Sequence, residues 1–136
     1  MFLLLKPDSD RKLLWVSYSG DFSLLEAEST FLEILAGLEQ HKLSKVLVDG
    51  RQLLGNPEPL ERFYYGKYVA EAVAKAVNGT RIEVPRFAYV LKKPLLDQNR
   101  LGETAAVNRG MRVKAFDSLK DGLWWLGISA DEVNES

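Results

Sequence analysis

"KVLVDG", Lys45–Gly50, decides the fold. Val46, Leu47 and Val48 follow one another with no polar residue between them, and Asp49 and Gly50 close the run. A strand with one solvated face alternates apolar and polar side chains. An unbroken apolar run reads instead as a strand covered on both faces, hence central and parallel to its neighbours. "RQLLGNPEP" then reads as the loop leaving the carboxyl end of that strand, the end at which open α/β sheets hold their ligands. Asp49 and Arg51 are candidates by position, and a turn in which Asp49 binds local amides is the alternative.

Upstream, "FLLLK" (Phe2–Lys6) and "KLLWVSYSG" (Lys12–Gly20) flank "PDSDR", a turn cluster, and read as a hairpin. Next comes "DFSLLEAESTFLEILAGLEQHK", where Ser23 and Glu26 form a capping box. Leu24, Ala27, Phe31, Ile34, Leu35 and Leu38 keep a helical period. Downstream, "PLERFYYGKYVAEAVAKAVNG" is a helix entered through Pro59 and stopped at Asn78-Gly79. Its second half is a core stripe of Val69, Ala72, Val73, Ala76 and Val77. In its first half Phe63, Tyr64, Tyr65 and Tyr68 point in too many directions to share one sheet, so some of them line a flank or meet solvent.

"RFAYVLKKP" is a further strand, and "LLDQNRLGETAAVNRG" a helix predicted to start near Asp97 or Gln98. "MRVKAF" alternates as an edge strand does. "DSLKDGLWWLGI" is a last helix, capped by Ser118 and buried along Leu119, Leu123 and Leu126, with adjacent Trp124 and Trp125 set about 100° apart. The predicted order is β-β-α-β-α-β-α-β-α. That order is an α/β single domain with a mixed, mainly parallel five-stranded sheet and four helices. The domain spans residues 1–128, and residues 129–136, "SADEVNES", form a frayed polar tail.

With 136 residues the chain is one domain by length and long enough to bury a full core. Its 18 basic and 19 acidic residues leave a net charge of −1, no field for recruiting nucleic acid. The absence of cysteine excludes disulfides, thiolate catalysis and thiolate metal sites. His41, the single histidine, stands at a helix end, where its charge suits the helix dipole, and no metal site is expected. "MFLLLKP" is too short for a signal core or a membrane span, so a cytoplasmic protein is expected.

Phosphate-cradling glycine patterns and a nucleophile elbow are both lacking. The carboxylate pairs Glu58/Glu61 and Asp97/Glu103 read as solvated turn residues, and no catalysis and no cofactor are expected. An enzyme would require Asp49, Arg51, Glu103 and Arg109 to converge on one cleft. In "GETAAVNRGMRVKAF" (Gly102–Phe116), Asn108 and Arg109 fit two roles. They form the last turn of a helix closed by a left-handed Gly110, or a polar pair at a site.

"KVLVDGRQLLGNPEPLERF", "RFAYVL" and "GETAAVNRGMRVKAFDSLKDGLWWL" together resemble the SpoIIAA-like branch of STAS-fold proteins, which is akin to the Sec14 (CRAL-TRIO) lipid carriers. The resemblance runs from about Phe2 to Leu126. Its most specific part is the last third, with Ala106, Asn108, Arg109, Gly110, Phe116, Trp125 and Leu126 at the family's positions. It implies a small cytoplasmic domain that binds an apolar small molecule or lipid, with reversible association to the inner face of the membrane as an extension. Ligand-binding candidates are then Phe63, Tyr64, Tyr68, Asn108 and Arg109. Regulatory STAS proteins carry a phosphorylatable Ser or Thr after the "VLVD"-type strand. Gly50 to Gly66 holds neither, so a STAS-type protein partner would dock without a phosphoswitch. Trp124 also departs from the family, which has a smaller residue there.

Overall fold

The computed structural model describes residues 1–133. Strand β1 (Phe2–Asp8) turns through a short 3-10 segment into β2 (Leu13–Asp21), and the Asp8 side chain accepts from the Arg11 amide to hold the turn. Then follow α1 (Leu24–His41), β3 (Lys45–Leu54), α2 (Pro59–Asn78), β4 (Arg86–Val90), α3 (Leu101–Val107), β5 (Arg112–Phe116) and α4 (Leu119–Trp125). The sheet order is β1-β2-β3-β4-β5, antiparallel between β1 and β2 and parallel elsewhere. The predicted α/β class, strand count and mixed pairing are those observed.

Right-handed crossovers between strands taken in spatial order put every connecting helix on one face. The packing agrees: α1, α2 and α3 share one core with Val16, Tyr18, Val46, Val48, Phe87 and Tyr89. The other face carries Leu13, Trp15, Leu47, Ala88 and Val90 against Leu123 of α4 and Leu126 just past its end. Val46, Leu47 and Val48 are all buried, on alternating faces, which is why the "VLV" run carries no polar residue.

Four details depart from the sequence reading. Arg51–Leu54 continue β3 rather than leaving it as a loop, because β2 is long enough to pair Ser19–Asp21 with Gln52–Leu54 beyond a register shift. Helix α3 begins at Leu101, later than Asp97 or Gln98. Arg100 takes a left-handed φ of 51° there, and the Asp97 carboxylate accepts from the Arg100 and Leu101 amides. The Ser23–Glu26 box closes on one side only. Ser23 accepts from the Glu26 amide at 3.3 Å, while the Glu26 carboxylate takes the Met1 ammonium at 3.0 Å. The end of the chain is not frayed as far as it is described. Ile128 is buried, a 3-10 turn spans Ala130–Glu132 and Val133 packs against the α4 core; residues 134–136 lie outside the described residues.

Candidate functional site

Three strand-to-helix connections gather at the carboxyl ends of the parallel strands, and an apolar, half-open cavity of about 130 Å³ lies among them. Tyr18, Val48 and Tyr89 line it from successive strands of the sheet, and Tyr65 and Val69 from α2. Ala106, Leu95 and Val113 contribute from α3, the β4–α3 connection and β5. A cavity therefore lies under the aromatic half of α2.

The tightest approach along its wall is between α2 and α3. A Cβ on Gly66 would overlap the Gly102 carbonyl oxygen and lie 3.1 Å from the Ala105 Cβ. Two glycines thus let the helix backbones touch where side chains would hold them apart.

Charged side chains at the rim are engaged with the frame. The Arg62 guanidinium donates to the carbonyls of Pro57 (3.0 Å), Pro94 (2.8 Å) and Leu95 (2.6 Å) and to Asn56 Oδ1 (3.1 Å). The Asp97 carboxylate stands 3.6 Å from its Nε. Arg62 so ties the β3–α2 and β4–α3 loops to the first turns of α2. On α3, Glu103 accepts from the Ala115 amide at 2.6 Å, and Arg100 donates to the Ala115 carbonyl at 2.8 Å and to Glu103 at 3.2 Å. Ala115 belongs to the edge strand β5, so this pair occupies backbone groups that would otherwise face outward.

Deeper in, the Tyr65 and Tyr89 hydroxyls share a 2.7 Å hydrogen bond, with the rings edge to face. Tyr18 pairs with Thr30 Oγ1, also at 2.7 Å. Burial, which penalises the phenolate, raises the pKa of all three tyrosines above the ordinary value, and for Tyr65 the neighbouring Tyr89 adds to it. Among the described residues no three His, Asp or Glu side chains converge on a point where a metal ion could sit.

The residues singled out from sequence fall elsewhere. Phe63 and Tyr64 are 37% and 49% exposed on the outer side of α2, touching each other edge to face, and Tyr68 is half-buried against the core. Asn108 is exposed. Arg109 donates to the Ala105 carbonyl at 2.9 Å and covers the Phe63 ring at 5.2 Å, tying α3 to α2. Gly110, with φ +89°, closes the helix end: its amide bonds Val107 O and the Met111 amide bonds Ala106 O, a Schellman pair. None of these residues lines the cavity.

Asp49 and Arg51 form a two-pronged pair at 2.9 and 2.8 Å, away from the cavity lining, while Glu103 is held by Ala115 and Arg100. Of the four residues an enzyme would need to converge, Asp49 and Arg51 are thus bound to each other, Glu103 to Ala115 and Arg100, and Arg109 to the Ala105 carbonyl. Trp124 is 77% exposed, and Trp125 is the border residue, stacked under Arg86 at 4.5 Å.

Sequence reading missed Arg62, Tyr65 and Tyr89. Tyr65 could have been found by continuing the Val69/Val73 stripe one turn back. Arg62 could have been noticed as a cation in the first turn of a helix, where the dipole disfavours it unless it serves something else. No protein-family model matches the chain, and no curated protein matches it significantly.

Proposed function

We propose that the chain is a non-catalytic binding module of SpoIIAA-like kind that takes a small apolar molecule, or the end of a lipid chain, between α2, α3 and the sheet. The observation that carries this is the apolar cavity at the carboxyl ends of the strands. An apolar cavity of about 150 Å³ is enough to hold a benzene ring. The 130 Å³ here therefore suits a ring or a short acyl segment and not a whole phospholipid. The surrounding groups favour binding over chemistry, since the buried hydroxyls resist ionisation and the rim charges are held by backbone and by one another.

The test is a titration of the methyl-labelled protein with benzene. Resonances of Val48, Val69 and Val113 move together and saturate, and an Ala115→Leu variant, grown into the cavity, weakens the effect. Unmoved cavity methyls in the wild-type protein would refute it.

A surface role on the outer side of α2 is the second reading, favoured by Leu60, Phe63 and Tyr64 standing exposed on adjacent turns. This is where a membrane face or a protein docking without a phosphoswitch would sit. Among the described residues no helix is long and apolar enough to cross a membrane. Flotation with anionic liposomes, compared between wild type and Phe63→Ser/Tyr64→Ser, separates this surface from the cavity.

A further inference from the structure

The Tyr65–Tyr89 pair has a hydrogen-bonding surplus. Each phenol carries one O–H donor, and when one hydroxyl donates to the other the second proton has still to be placed. The 2.7 Å bond between them accounts for one proton, and no other described residue offers an acceptor to the second. Tyr89 is 9% exposed, and both residues line the cavity. In this half-open cavity the acceptor for that O–H has to come from water or from a ligand, since a buried O–H left unpaired is costly.

An anion is poorly served here, because Arg62 and Arg100 at the rim already donate to carbonyls and carboxylates. A buried carboxylate would bring a desolvation cost, and the two rim guanidiniums already face the carboxylates of Asp97 and Glu103. A neutral acceptor has no such cost.

Taking the cavity as the ligand site, as proposed above, we infer that its ligand is a neutral apolar molecule bearing a carbonyl-type acceptor, inserted acceptor first so that the Tyr65–Tyr89 hydroxyl pair donates to it. The pair then acts as a polarity selector at the end of an otherwise apolar slot. Either tyrosine suffices as donor, because removing one hydroxyl leaves the proton of the other free.

The test uses two probes of similar shape, cyclopentanone and methylcyclopentane, titrated against wild type, Tyr65→Phe, Tyr89→Phe and the double variant, with the cavity methyls as readout. Methylcyclopentane is expected to bind all four proteins alike. Cyclopentanone is expected to bind wild type and both single variants, and to lose about five- to tenfold in affinity in the double variant. Equal cyclopentanone affinity in wild type and the double variant overturns the inference while leaving the cavity a ligand site. Failure of both probes to move the wild-type methyls overturns the cavity reading itself. Should the double variant not fold, the C=O stretch of cyclopentanone bound to the wild-type protein decides: a shift to lower frequency than in a hydrocarbon solvent upholds donation by the pair, and a hydrocarbon-like frequency overturns it.

Discussion

Replacing Gly66 with alanine reverses the usual sign of such a change. In an open helix interior Gly→Ala gains about 1 kcal/mol, since glycine has more backbone freedom to lose on folding. At position 66 the new methyl overlaps the Gly102 carbonyl oxygen and sits 3.1 Å from the Ala105 Cβ, with backbone rather than a yielding side chain in its way. Helix α3 must withdraw, which strains the Arg109–Phe63 contact and the Ala105 and Ala106 packing. Overpacking of this kind costs about 1–3 kcal/mol, and displaced backbone lies at or beyond the upper end. After the propensity gain a net loss of about 1–3 kcal/mol is expected, a fall in Tm of roughly 3–10 °C for a domain of this size. Urea unfolding followed by circular dichroism measures it as a lower midpoint at unchanged slope. A variant as stable as wild type, or more so, would show that α2 and α3 do not meet at these glycines.

Arg62→Ala is expected to cost about 2–4 kcal/mol in the same assay, because its three carbonyl partners and Asn56 lose their donor and Asp97 loses its neighbouring cation. Arg62→Lys restores little, since a single ammonium cannot span the fork; restoration to within about 0.5 kcal/mol would refute the clamp. Arg109→Ala is expected to lose about 0.5–1 kcal/mol with the helix-end and ring contacts, and to leave benzene binding unchanged. A loss of binding without a loss of stability would make Arg109 a site residue instead. Raising the pH tests the buried phenols. Their pKa values are raised in the folded state, so the unfolded chain releases these protons first. Stability is complete below pH about 10 and falls as pH rises beyond it, by up to about 1.4 kcal/mol per pH unit for each tyrosine. Tyr65→Phe should flatten that fall, and an unchanged slope would place the ionisation elsewhere.

The architecture was legible because burial on both faces leaves a mark that local chemistry cannot imitate, as in Val46–Val48, and because Ser23, Pro59 and Ser118 announce helix starts through their own side chains and rings. The misplaced start of α3 has a different origin. Leu95 to Arg100 contains good helix formers, yet Leu95 is drawn into the cavity wall and Asp97 spends its carboxylate on amides three and four residues on. The prolonged β3 depends on the length of β2, a partner distant in sequence. The cavity was half legible. Sequence showed that the aromatics of α2 could not all face inward, but which one does is set by the rotation of α2 on the sheet. The hydroxyl that Tyr65 meets comes from another strand altogether.

Arg100 and Glu103 have a consequence beyond α3. The sheet has two borders, and on β5 the outward amide and carbonyl of Ala115 are already taken. At the opposite border β1 pairs only with β2 and displays Phe2 and Leu4, 61% and 58% exposed. As a building block the molecule is therefore one-sided. Copies that joined open border to open border would present β5 at each extremity, where the Ala115 groups are already taken, which makes that end a poorer surface for further growth than β1.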